Sequence, residues 1–244
     1  MTEEKDLFAH TERVTFELSN ICNYSIIHPQ CPTSIFKEKI VLRRAVVDRV
    51  LEDLGAVGYA GWITFYAYSE PLIDPRFQSF IERAKRVVPA CQVMVTTNGF
   101  MLTPETAEEL GEAGLDFARV SAYSDAEFNR LSAIPQGKMK IHVRRMGGGK
   151  WRERISNYQD PVRPAAWKPC FAPLIDLRVT TGGKVGLCCV DYENRHTFGD
   201  LASTSLLDVL RSGILHEEYD RLTKSKRTLD LCRRCSVARK TGGI

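Results

Sequence analysis

Trp62-Ile-Thr-Phe-Tyr66, then Phe77, Phe80, Ile81 and Ala84 at helical spacing, then Val93-Met-Val-Thr96 make a strand–helix–strand unit. The same alternation continues on both sides of it. Upstream, Val14-Thr-Phe-Glu-Leu18 predicts a first strand, and Val46, Val47, Val50, Leu51 and Leu54 predict a helix ending at Gly55. Downstream, the pattern predicts a helix over 104–113, a fourth strand at Phe117-Ala-Arg-Val-Ser121, a short helix near 125–131 and a fifth strand at Met139-Lys-Ile-His-Val143. Strands that alternate with helices pair in parallel, and their binding sites lie at the carboxyl ends of the strands. Five such units cannot close an eight-stranded barrel, so the expected α/β architecture is an open, partial TIM-like barrel.

From Gly147 the pattern changes. Gly147-Gly-Gly-Lys150 and the polar run that follows read as a long connection, without the spacing or context of a phosphate loop. Two strands are expected beyond it, at 174–180 and 184–188, joined by Thr181-Gly-Gly183 as a hairpin turn. A helix carrying Leu206, Leu207 and Leu210 and another over 215–222 follow. The expected division is a barrel over 1–146, a connector over 147–165 and a small α+β domain over 166–244.

The chain has 244 residues, 43% of them hydrophobic, with a formal net charge of +4. Charges of both signs are interspersed, which argues against a nucleic-acid partner, and no apolar run reaches the ~20 residues of a membrane span. The polar, acidic start is unlike a secretory leader. A cytoplasmic protein is expected, and in that reducing compartment eight cysteines point to metal or redox chemistry rather than disulfides. Cys91 opens an apolar run and reads as a small core residue. Cys170, Cys188, Cys189 and Cys232-Arg-Arg-Cys235 supply a CxxC clamp and further thiolates, a soft ligand set that suits either zinc or an iron–sulfur cluster.

Cys170, Gly183-Lys-Val-Gly-Leu-Cys188-Cys189, Gly199-Asp-Leu201 and the late CxxC resemble the auxiliary-cluster domain called SPASM, in its short "twitch" form. That resemblance implies a 4Fe–4S cluster on Cys170, Cys188, Cys232 and Cys235, with Cys189 the lesser choice. Tyr66-Ala-Tyr-Ser-Glu-Pro71 resembles the "GEP" segment of radical S-adenosylmethionine enzymes, and Thr97-Asn-Gly99 resembles the "TNG" after their third strand. The family implies S-adenosylmethionine contacts at Ser69, Glu70, Asn98 and Ser121, with Tyr24 packing either on the adenine or in the core. The family's CxxxCxxC motif is altered here to Cys22-(x5)-His28-x-x-Cys31, which keeps Asn23 and Pro32 beside the outer cysteines. Histidine can ligate cluster iron and raises its reduction potential, so Cys22, His28 and Cys31 are the implied ligands of a second 4Fe–4S cluster.

The resemblance implies an enzyme that makes a 5′-deoxyadenosyl radical and draws electrons from a donor such as flavodoxin or ferredoxin. Its short length is similar to that of members acting on small aminocyclitols, sugars or nucleosides by dehydrogenation, epimerisation or sulfur insertion in natural-product biosynthesis. A peptide-modifying enzyme, a non-catalytic descendant retaining only the C-terminal cluster, and a zinc protein remain open at this stage.

Overall fold

The computed structural model describes residues 6–26, 31–34, 36–146 and 168–235. Strands β1 (Arg13–Phe16), β2 (Trp62–Phe65), β3 (Gln92–Thr97), β4 (Phe117–Ala122) and β5 (Lys140–Arg145) alternate with helices α1 (Arg44–Ala56), α2 (Phe77–Val87), α3 (Pro104–Glu112) and α4 (Asp125–Ser132). The five strands run parallel in the order β5-β4-β3-β2-β1. Beyond β1 the sheet continues with β6 (Asp176–Val179), also parallel, which sets Arg13 opposite Asp176 and Phe16 opposite Val179. Strands β7 (Lys184–Gly186) and β8 (Thr197–Asp200) then add in antiparallel sense. The result is one open sheet of eight strands, a partial barrel six parallel strands wide.

Successive strand side chains point to opposite faces, and here the two faces differ in chemistry. Val14 and Phe16, Ile63 and Phe65, Val93 and Val95, and Leu177 and Val179 are buried in one apolar core with Val50, Leu54, Phe80 and Ile81 of the helices. Each such side chain contributes roughly 1.5–3 kcal/mol on burial. The alternate positions Thr15, Thr64, Asp176 and Arg178 are also buried, yet polar, and line the inner face.

Helix starts follow local chemistry. Thr103 and Thr106 form a reciprocal capping box at α3, and Ser124 caps α4 by accepting from the Glu127 amide. Gly55 does not end α1. The helix runs on to Ala56, and the chain turns at Gly58, where φ is +63°. A Cβ at Gly55 would lie 2.5 Å from the Val87 carbonyl oxygen, so this glycine lets α1 and the end of α2 approach. Periodicity alone cannot separate those two uses of glycine.

The expected strand at 174–180 is shorter at its start. Leu174 and Ile175 belong to α5 (Ala172–Ile175), and β6 begins at Asp176. Pro173 in the first turn of α5 has no backbone N–H to give a strand ladder. Strand β8 was not anticipated, since Thr197-Phe-Gly-Asp200 carries no apolar alternation and is only partly buried. Helices α6 (Leu206–Arg211), α7 (Ile214–Thr223) and α8 (Asp230–Arg234) are the last elements among the described residues. The connector at 147–165 lies outside the described residues. Cys91 is buried in the main core, as read from its apolar surroundings. Among the described residues no helix is long and apolar enough to cross a membrane.

Candidate functional site

After β1 the chain leaves the sheet at its carboxyl end, and an antiparallel bridge between Ser19 and Val41 closes the loop that follows. Asn20 accepts from the Ile40 amide at 2.8 Å and donates to the Glu38 carbonyl at 2.7 Å, clamping the loop's return. The Glu70 amide donates to the Ile21 carbonyl at 2.9 Å, which ties the segment after β2 to the residue before Cys22. From the end of β3, Asn98 Nδ2 donates to Asn23 Oδ1 at 2.7 Å and approaches Cys22 Sγ at 3.9 Å. Burial pushes the Cys22 thiol up to about 11, with the negative charges of Glu70 and Cys31 adding to the effect. Tyr123, at the end of β4, is pushed up to about 12 by burial and feels the same three groups. Two cysteines, a carboxylate and a phenol therefore converge at the carboxyl ends of β1 to β4.

The loop after β2 bounds this space. Ala67 takes φ +121°, a conformation that costs a non-glycine residue of order 1–3 kcal/mol and persists where the surroundings impose it. Ser69 Oγ is buried with no partner among the described residues. Glu70 is only 2% exposed. Its Oε1 accepts from Thr97 Oγ1 at 2.6 Å and from the Leu72 amide at 3.1 Å, and its Oε2 accepts from the Asn98 amide at 2.7 Å. A carboxylate has about four acceptor positions, so three are used internally and one remains. Burial raises the Glu70 pKa despite these bonds.

A second site lies beyond β7. Cys170, Cys188, Cys189, Cys232 and Cys235 line one pocket, backed by Leu187, Leu222 and Leu231. None of the eight cysteines is disulfide-bonded. The Cys232 thiol is pushed up to about 12, first by burial and then by Glu218, Cys170 and Cys235. Cys188 is shifted upward by burial, by Cys189 and by Cys232. Among the described residues no three His, Cys, Asp or Glu side chains sit close enough to share one metal ion. The cysteines ring one cavity, a soft sulfur lining of the kind that holds zinc or an iron–sulfur cluster.

A buried network joins the two sites. Arg178 Nη2 donates to Glu17 Oε2 at 2.8 Å, and its Nη1 donates to the Cys188 carbonyl at 3.0 Å. The guanidinium carbon lies 5.3 Å from the Tyr68 ring centroid. Tyr68 donates its amide to Glu17 Oε1 at 3.2 Å and its hydroxyl to the Cys189 carbonyl. The loop that carries Ser69 and Glu70 is thus pinned to the backbone of the cysteine pair.

The profile of the Radical SAM superfamily matches residues 18–159, more than half of the chain. The chain belongs to the radical S-adenosylmethionine superfamily. Residues 170–236 match SPASM, an iron–sulfur cluster-binding domain. The S-adenosyl-L-methionine-dependent 2-deoxy-scyllo-inosamine dehydrogenase of Niallia circulans is 22% identical over 91% of this chain and 92% of its own length. The crystal structure of BtrN in complex with AdoMet and 2-DOIA aligns with a TM-score of 0.78 at 21% identity, covering 93% of both chains. Native anSMEcpe with bound AdoMet aligns at 0.57 and 10% identity over 92% of this chain and 86% of its own.

Membership brings S-adenosylmethionine and a 4Fe–4S cluster to the barrel, and the SPASM match brings auxiliary cluster chemistry to the tail. The residues present fit both groups. The barrel end offers two adjacent cysteines and an unpartnered buried hydroxyl, and the tail offers a ring of thiols in an apolar pocket. Of the radical S-adenosylmethionine positions read from sequence, Cys22, Cys31, Ser69, Glu70 and Asn98 lie on loops at the carboxyl ends of β1 to β3, and Ser121 is buried within the last residues of β4. His28 lies outside the described residues. Tyr24 is buried, with ring centroids 5.3 Å from Tyr123 and 6.1 Å from Phe100, and its hydroxyl is given to Glu127. Sequence reasoning missed Glu17, Tyr68, Tyr123 and Arg178. For Glu17 and Arg178 the available signal was a polar residue at every second position along β1 and β6, whereas Tyr68 and Tyr123 lie past the ends of β2 and β4, where no such pattern runs.

Proposed function

We propose that this enzyme oxidises a small polyhydroxylated substrate, an aminocyclitol in preference to a sugar or nucleoside, by dehydrogenation. The observation that carries the reading is the inner face of the barrel. Thr15 bonds Thr64 at 2.7 Å and Asp176 at 2.5 Å, and Tyr66 donates to Asp176 at 2.7 Å. With Glu17, Ser121 and Arg178 these groups give the inner face a dense set of hydrogen-bonding side chains. Their mutual bonds hold these groups in fixed positions, and a polar inner face of this kind suits one small ring carrying several hydroxyl and amino groups. The aminocyclitol dehydrogenase that matches nearly the full chain supports the same class.

When bound, the cofactor and N-terminal cluster supply a 5′-deoxyadenosyl radical that takes hydrogen from carbon, and the auxiliary cluster supplies an acceptor for the second electron. The chain's own residues hold and orient. Cys22, Cys31 and His28 would hold the N-terminal cluster, and Cys170, Cys188, Cys232 and Cys235 the auxiliary one. Ser69, Asn98, Ser121 and the remaining acceptor position of Glu70 would receive S-adenosylmethionine, with Tyr24 packed beside them. The barrel, the connector and the SPASM region divide near 146 and 166, and a flavodoxin or ferredoxin in the cytoplasm supplies electrons.

The test is anaerobic reconstitution followed by assay against aminocyclitols, sugars, nucleosides and short peptides. An aminocyclitol should raise 5′-deoxyadenosine release well above the substrate-free rate, with one ketone formed per 5′-deoxyadenosine. Stimulation by peptides alone would overturn the substrate class.

A further inference from the structure

The auxiliary pocket holds a buried charge that ligation by cysteine does not explain. Arg227 lines the pocket beside the cysteines and is 8% exposed. Its Nη1 donates to the Cys232 carbonyl at 3.0 Å and its Nη2 to the Lys168 carbonyl at 3.1 Å. Its Nε is buried with no partner among the described residues. Two backbone carbonyls fix the guanidinium plane, and they leave its charge without a carboxylate among the described residues. A buried donor left unsatisfied is costly, and a buried unpaired charge more so. Such an arginine persists where an anion faces it.

We propose that Arg227 is the charge partner of the auxiliary iron–sulfur cluster, donating its Nε–H to a sulfur of the cluster or of a ligand cysteine and holding the reduction potential up. The proposal rests on the reading that this pocket carries an iron–sulfur cluster. A cluster on four thiolates is anionic, and an added electron makes it more so. A nearby buried cation therefore stabilises the reduced form more than the oxidised one, and hydrogen bonds to sulfur act in the same direction. The Arg227 charge sets how readily this site accepts an electron from the barrel interior.

The test uses the full chain carrying Cys22→Ala and Cys31→Ala, so that only the auxiliary cluster titrates, with iron content and an EPR-monitored redox titration as readouts. Arg227→Met should lower the reduced-to-oxidised ratio at a fixed poise at least tenfold, equivalent to about 59 mV for one electron. Arg227→Lys should give a smaller drop. An unmoved potential in Arg227→Met at wild-type iron content would overturn the proposal. If Arg227→Met fails to hold iron, Arg227→Lys decides by the same criterion. Absence of iron from the parent chain would instead overturn the cluster reading itself.

Discussion

At the carboxyl end of β1, Cys22 and Cys31 are half-exposed and sit on one irregular loop fastened by Asn20, Asn98 and the Glu70 backbone. The auxiliary pocket draws five cysteines from three separate stretches of chain; Cys170, Cys232 and Cys235 are buried there, while Cys188 and Cys189 stay partly exposed. A group that must bind and release S-adenosylmethionine at one iron needs an accessible face, which the first arrangement keeps. A group that only exchanges electrons can be sealed by protein, and sealing it couples its ligation to folding. The contrast extends to neighbouring charge: the barrel site faces a carboxylate, whereas the tail pocket adds a buried arginine.

The largest expected effect separates the sites by chemistry. Cys22→Ala with Cys31→Ala should abolish 5′-deoxyadenosine release to background while about half of the reconstituted iron remains. Full retention of iron by this variant would show that the barrel site holds no cluster.

Cys232→Ala with Cys235→Ala should act on folding instead. The tail's small apolar cluster carries little stability without its ligated group. Limited proteolysis should then cut rapidly beyond residue 168 while the barrel fragment survives. A digestion pattern identical to wild type would remove the supposed difference between the regions.

Titration sharpens the same point. In the unloaded protein the Cys232 thiol is raised from 9.0 to about 12 by burial. The folded state therefore binds more protons than the unfolded chain across that interval, and stability falls as pH rises through it. Denaturation midpoints of iron-free protein should be level below about pH 9 and decline above it. The loaded protein, whose ligand thiols have already lost their protons, should lack that slope.

A smaller effect tests the barrel loop. Glu70→Ala strands the Thr97 hydroxyl and the Leu72 and Asn98 amides. It should cost about 2–4 kcal/mol of stability and weaken S-adenosylmethionine binding about tenfold, both read by calorimetry. Lost affinity at unchanged stability would mean that the internal bonds contribute little.

The least perturbing change is Tyr68→Phe. Removing the hydroxyl that holds the Cys189 carbonyl should cost about 1 kcal/mol and broaden the auxiliary EPR signal while the barrel cluster's signal stays as it is. Equal disturbance of both signals would mean that the link runs through the whole loop rather than through this bond.

Local pattern determined much of this protein. Apolar residues at every second strand position and at helical spacing between strands define the parallel α/β order, because burial of one face is a short-range requirement. Cys170, the Cys188–Cys189 pair and the closing CxxC announced soft-ligand chemistry for the same reason, since thiolates at that spacing have few other uses. Tertiary structure decided what depends on distant partners. Strand β6 joins β1 across 161 residues of sequence, carrying Asp176 to Thr15 and Arg178 to Glu17, and no local preference encodes that pairing. Gly55 served as a contact rather than a stop because Val87 of another helix lies against it. Arg227 reads as an ordinary surface arginine in the sequence. Only the folded chain buries it beside Cys232, where desolvation turns a common side chain into a control on charge.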